Sequence, residues 1–192
     1  GLPGRPYHEI AGRLGLLTGG FGAALSADTL SAPRRGLAQG LVFRVKMLEE
    51  NLEAALELVG QLLRLADFRD LDRLESLLLE MRNDHKASLV PGGSHYAALR
   101  AGSGLSAALG LEDRWKGISQ YLGLAGLGEQ AARARESALA GLAETLEALR
   151  GQLLGRERLT VNLTCPRGLL PRLSAALAAV VGSLPAGSAA AS

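Results

Sequence analysis

The strongest constraint on the fold is the spacing of apolar residues between positions 48 and 65. They recur every three or four residues, and the acidic side chains of Glu49, Glu53 and Glu57 fall on the opposite face. Such a pattern predicts an amphipathic helix over residues 48–65. Its inward face is Leu48, Leu52, Ala55, Leu56, Val59, Leu62 and Leu63.

Weaker helical patterns follow along the rest of the chain. They predict helices over residues 7–17, 71–90, 94–108, 111–122, 129–150 and 168–184, with a loop over residues 123–128. The expected inward faces are Leu71, Leu74, Leu77, Leu78 and Met81 in the second long helix and Ala138, Leu142, Leu146 and Leu149 in the Ala-rich one. Only 4% of the residues are aromatic, so small aliphatic side chains must form the core.

Three short segments favour β-structure. Residues 41–45 are rich in β-branched and aromatic side chains, residues 21–27 pair with them across a turn at 28–36, and residues 159–164 alternate. The order of elements predicts an α+β class, predominantly helical, with a small antiparallel or mixed sheet packed against helices. We expect a single domain over residues 1–184 and a disordered tail over residues 185–192. Three strands make a thin sheet, which indicates an incomplete domain.

Composition and charge exclude several classes of function. The net charge of +2 on 192 residues is too small to drive nucleic-acid binding, and no apolar run is long enough to span a membrane. The single cysteine, Cys165, excludes a multi-cysteine zinc site. His8-Glu9 begins like His-Glu-x-x-His, but Gly12 stands where the second histidine belongs. His85 and His95 lack ligand spacing and are interpreted as structural or surface residues.

Glycines, arginines and one serine are the other features of interest. The pairs Gly19-Gly20 and Gly92-Gly93 permit close approach of a peptide, although a helix stop is the favoured interpretation. Arg34-Arg35 suits an acidic partner, but a solvated loop is favoured. Ser94 is expected to cap a helix. Trp115 is expected in the core or at a domain contact.

The order of several short motifs resembles the presequence-protease type of zinc metallopeptidase, in the pitrilysin/insulinase superfamily. The similar region is the third of four domains, in the non-catalytic C-terminal half, and it covers residues 7–164. The motifs are Tyr7-His8-Glu9-Ile10, Thr18-Gly19-Gly20-Phe21, Val42 to Leu48, Asn51-Leu52, Phe68-Arg69-Asp70, Arg73-Leu74, Gly93-Ser94-His95-Tyr96-Ala97, Leu99-Arg100-Ala101, Trp115-Lys116-Gly117-Ile118 and Arg158 to Thr164.

This resemblance implies a clam-shell of two halves that encloses a chamber for unfolded peptides. Zinc in such enzymes is held in the first domain by His-x-x-Glu-His, a motif that none of His8, His85 and His95 begins. We therefore expect no catalytic and no metal-binding residue in this chain, and zinc in the parent enzyme outside it. Expected substrate-proximal or structural motif residues are Gly19, Gly20, Gly93, His95 and Tyr96.

Two functions of different class follow from the resemblance. The first is a non-catalytic chamber-wall domain of a zinc metalloendopeptidase; its partners are the catalytic N-terminal half and unfolded peptide substrates, with no nucleic acid and no membrane. The second is a catalytically inactive scaffold or partner-binding subunit of the same superfamily. A third interpretation, with less support, is a helical regulator recruited through exposed basic groups. The expected location is intracellular, in a bacterial cytoplasm or an organelle matrix.

Overall fold

The computed structural model describes residues 1–31 and 36–186, which are mainly helical. It confirms the α+β class with a small antiparallel sheet. The elements, in chain order, are α1 (Tyr7–Leu17), β1 (Gly20–Leu30), β2 (Gly36–Lys46), α2 (Leu52–Leu65), α3 (Leu71–Leu89), α4 (Gly93–Gly102), α5 (Ala107–Lys116), α6 (Ile118–Arg133), α7 (Arg135–Leu153) and α8 (Leu170–Gly182). Short 3-10 turns lie at Glu49–Asn51, Arg156–Arg158 and Arg167–Leu169. None of the helices in these ranges is both long and apolar enough to cross a membrane.

Contacts divide the chain into two compact units. Unit 1 comprises Gly1–Gly22, Arg44–Asp70 and the described part of Leu142–Ser192, and unit 2 comprises Ala23–Phe43 and Leu71–Gly141. The expectation of a single domain over residues 1–184 stays a prediction. The tail expected after residue 184 falls mostly on residues 187–192, which lie outside the described ranges.

The core of unit 1 forms where α2 packs against α1 and α8. Leu2, Ile10 and Leu58 make a buried apolar cluster, and Leu52 is also buried. Gly60 allows α8 to approach, because a Cβ at this position would lie 3.0 Å from a methyl of Val180. At the surface, the Arg172 guanidinium donates to both carboxylate oxygens of Glu53 at 2.7 Å and fastens α8 to α2.

Unit 2 is a helical layer in which α3 and α5 pack on α6, and α4 packs on α5. Its buried apolar side chains include Leu78 of α3, Leu124 of α6 and Leu139 of α7. Gly128 of α6 is also buried, and the Arg82 side chain lies over it, 3.1 Å from where a Cβ would be. Small residues therefore let these helices approach closely, as the aliphatic composition indicates.

The sheet is a hairpin of two strands with eleven residues each. The amide of Gly19 donates to the carbonyl of Lys46 at 2.8 Å and closes its base. Both strand predictions, 21–27 and 41–45, are confirmed, and the strands extend beyond the predicted limits. Apolar side chains remain exposed along it, including Leu25 and Leu41. The predicted turn at residues 28–36 falls partly on residues 32–35, including Arg34-Arg35, which lie outside the described ranges.

The prediction of a third strand over residues 159–164 is wrong. In the part of the chain that the structure describes, this segment has no regular secondary structure and pairs with no strand. Alternation fits the side chains to a strand, but a strand also needs a neighbour that accepts its backbone hydrogen bonds.

Several predicted helix boundaries are wrong for local backbone reasons. The helix expected over 94–108 ends at Gly102, because Ser106 is extended and its hydroxyl accepts from the Leu109 amide that begins α5. Extended backbone at Gly117 separates α5 from α6, and Ala134 separates α6 from α7. The loop expected at residues 123–128 is helical, since Leu124, Gly128 and Ala131 face the packed side of α6.

The predicted inward faces are correct only in part. Leu48, Leu77, Met81 and Leu149 are exposed rather than buried. In α7 the most buried positions are Leu139 and Ala143, one residue later than expected. Leu58 of α2 is missing from the predicted face, yet it is in the core because α1 covers that side as well.

Candidate functional site

The five motif residues fall in different parts of the fold. Gly19 and Gly20 belong to unit 1, at the start of β1, and open space surrounds Gly20. Gly93, His95 and Tyr96 belong to unit 2, in the first turn of α4. The structure thus brings the last three residues together through their shared helix.

The tight position at the start of α4 is Gly92 rather than Gly93. A Cβ on Gly92 would lie 2.8 Å from the carbonyl oxygen of Ser88 and 3.1 Å from the Tyr96 ring. Nothing lies within 4 Å of a Cβ on Gly93. The expected capping role of Ser94 is wrong, because Gly92 occupies the N-cap position and no side chain caps the helix.

Tyr96 anchors an aromatic cluster that the sequence motifs do not reveal. Its ring lies 5.3 Å from the His85 ring of α3, and Tyr121 of α6 stacks on the same histidine at 6.1 Å. The Ser88 hydroxyl donates to the His85 carbonyl at 2.7 Å, so Tyr96 donates its phenol proton to Ser88 at 2.6 Å. The cluster links α3, α4 and α6.

His85 is half-buried in this cluster, and its Nε2 atom is buried with no hydrogen-bond partner. His95 projects to solvent, with its ring edge against Tyr96 at 5.7 Å. The structural interpretation of His85 therefore agrees with its packing against two tyrosines, which leaves it no carboxylate partner among its described contacts.

Zinc ligands do not converge in the described ranges. Within residues 1–31 and 36–186, no three His, Cys, Asp or Glu side chains are grouped so that they could hold a metal ion. Zinc therefore does not fit the residues present here, and no chemical step can be derived through it from this chain.

A buried carboxylate of unit 2 has no counterpart among the sequence motifs. The Asp113 side chain is only 3% exposed. Its Oδ2 atom accepts from the Ser119 hydroxyl at 2.5 Å and from the Arg100 guanidinium at 3.0 Å. Oδ1 is buried and has no partner. One carboxylate thus joins α4, α5 and α6.

Hydrogen bonding keeps this carboxylate ionised. The bond from Ser119 holds the pKa of Asp113 below its usual value, burial opposes that effect, and Arg100 reinforces it. Gly117 makes the arrangement possible, because a Cβ there would overlap Oδ1 of Asp113 and lie 2.8 Å from its carbonyl oxygen. Residue spacing carries no sign of this site, since Arg100 and Asp113 look like ordinary surface residues of separate helices.

Comparison with known proteins assigns the family. The sequence profile of the associated domain of M16 peptidases, subfamily C, matches residues 1–127. The chain is also 30% identical over 115 residues to a protein of Xenopus tropicalis named "Presequence protease, mitochondrial". That similarity covers 59% of this chain and 11% of the frog protein, so the matched region spans about a tenth of the relative's length. Because the profile covers more than half of its residues, the chain belongs to the family of domains associated with M16 peptidases of subfamily C.

Proposed function

We propose that this chain is a non-catalytic wall domain of an M16-type zinc metalloendopeptidase that degrades unfolded peptides. The family match over residues 1–127 carries the proposal, and the similarity to a mitochondrial presequence protease supports it. In this account, the zinc ion and the groups that act on the scissile bond belong to other parts of the parent enzyme. This chain contributes shape and surface. An organelle matrix or a bacterial cytoplasm is the proposed location.

The hairpin supports a role as part of a larger assembly. It consists of two strands only, and Leu25 is 41% exposed and Leu41 37% exposed. An isolated two-stranded hairpin is marginally stable in water, and its free edges readily accept further strands. We therefore propose that the catalytic half of the peptidase, the partner implied by the family, covers this hairpin.

Reconstitution tests the proposal. The part of the parent protein that carries His-x-x-Glu-His is mixed with this chain, and cleavage of an unstructured fluorogenic peptide is followed. We expect the mixture to cleave faster than the catalytic part alone, and this chain alone to show no cleavage. Zinc-dependent cleavage by this chain alone would contradict the proposal. Stable association of the two parts without any gain in cleavage would favour an inactive scaffold instead.

Two matched variants make the result specific. Leu25→Lys places a charge on the exposed hairpin and should abolish the gain in cleavage. Leu105→Lys changes an apolar residue that is 80% exposed in the turn after α4, and it should leave the gain unchanged. Equal effects of the two variants would argue against docking through the hairpin.

A further inference from the structure

The segment between α7 and α8 keeps the side-chain pattern of a strand although it is not one. Residues 159–164, here called the connector, alternate Leu159, Val161 and Leu163 with three polar residues. Leu159 and Val161 are each 43% exposed, and Leu163 is half-buried. A loop that only joined two helices would have no need of alternating apolar side chains.

The backbone of the connector is open to pairing. Leu159 is extended, with φ −88° and ψ 127°, and its amide donates to the Arg156 carbonyl at 3.3 Å. The next backbone bond along the chain joins the Leu169 amide to the Pro166 carbonyl at 2.9 Å. Among the described residues, the backbone groups of positions 160–165 bond to no other backbone group. Such groups are a template for an added strand.

Positive charge flanks the connector on both sides. Arg156 and Arg158 precede it, Arg167 follows it, and Glu157 is the single acid among them. Arg158 donates to the carbonyl of Gln152 at 3.2 Å, and none of the three arginines forms an ion pair with a described residue. Arg172, further along, is instead fully engaged by Glu53. The free charges would attract an acidic occupant.

We propose that the connector binds an extended acidic peptide as an added β-strand. Backbone hydrogen bonds to residues 160–164 would supply affinity, alternate apolar side chains would contact Leu159 and Val161, and acidic side chains would meet the flanking arginines. The inference rests on the proposed function in one respect only: it names a class of peptide that a chamber wall would hold.

The test is fluorescence anisotropy with the full chain and a labelled short peptide that alternates valine and glutamate. We expect it to bind about tenfold more tightly than a twin with lysine in place of glutamate. Affinity should fall as salt rises, since 0.1 M salt screens exposed charges beyond about 10 Å. A second twin, with proline at two adjacent central positions, lacks one amide on each edge and should bind at least about tenfold more weakly.

Variants of the chain locate the site. Val161→Pro and Asn162→Pro each remove an amide from one of the two opposite edges, so at least one of them should weaken binding about tenfold. Neither amide is bonded to another backbone group in the described structure, so the melting temperature should not change. Arg156→Glu should weaken binding of the acidic peptide, whereas Arg13→Glu, at an exposed arginine of α1, is the matched control.

The inference is overturned if the acidic peptide does not bind, if the proline twin binds equally well, or if neither proline variant changes affinity. Equal loss from the variants at Arg156 and Arg13 would reduce the attraction to net charge and overturn the site. This test needs no catalytic partner. A failure here together with successful reconstitution of cleavage would remove the connector site and leave the proposed function standing.

Discussion

Gly117→Ala tests the most tightly packed polar arrangement in unit 2. The new Cβ would overlap Oδ1 of Asp113 and lie 2.8 Å from both its Cα and its carbonyl oxygen. The last two atoms are backbone, and the Gly117 amide is bonded to that same carbonyl at 2.9 Å, so neither can move aside cheaply. Relief of the clash must therefore displace the Asp113 side chain or open the junction between α5 and α6.

Either movement has a cost that can be estimated. Overpacking costs about 1–3 kcal/mol. Disturbing the bond between Ser119 and a charged carboxylate costs about 1.5–3 kcal/mol more if that bond is lost. With partial relaxation we expect the free energy of unfolding to fall by about 3 kcal/mol, which lowers the ratio of folded to unfolded protein by roughly two powers of ten.

Gly123→Ala is the matched control in the neighbouring helix. Gly123 lies inside α6, is exposed, and has nothing within 4 Å of its Cβ position. Alanine in such a helical position should raise the free energy of unfolding by about 0.5–1 kcal/mol. Urea unfolding followed by circular dichroism measures both variants. The reasoning is refuted if Gly117→Ala unfolds like the wild type, or if Gly123→Ala lowers the stability.

Three further predictions concern the same unit. Gly92→Ala should lower the melting temperature, since its Cβ meets a backbone oxygen at 2.8 Å, whereas Gly93→Ala should not; equal melting would contradict this. Tyr96→Phe removes the bond to Ser88 and should cost about 1 kcal/mol in urea unfolding. The lowered pKa of Asp113 gives stability that is present above its unfolded pKa and lost as pH falls through the folded value; in acid titrations Asp113→Asn should flatten that loss, and an unchanged slope would refute it.

The elements that can be predicted from the sequence are those whose pattern is local. The first helix, Tyr7–Leu17, and both strands of the hairpin follow from spacing and residue type alone. Boundaries inside the helical block are less accessible, because extended backbone at Gly117 and Ala134 is set by packing with other helices. The glycines of α6 favour a loop when they are considered locally, although a buried contact with Arg82 explains one of them.

The polar core of unit 2 depends on contacts between residues distant in sequence. Arg100, Asp113 and Ser119 meet only after three helices have packed, so no motif of short spacing reveals them. The same holds for the His85 cluster, which combines side chains of α3, α4 and α6. By contrast, the resemblance to the presequence-protease type comes from the order of short motifs along the chain, and the family match confirms it.

The central claim is that this chain works as part of a larger zinc peptidase. Intact mass and zinc content of the protein purified from its source, before any truncation, test it most directly. The account predicts a mass several times 20.0 kDa, since the matched region spans 11% of a relative, with roughly one zinc ion per molecule. A metal-free protein of 20.0 kDa that copurifies with no peptidase would contradict it.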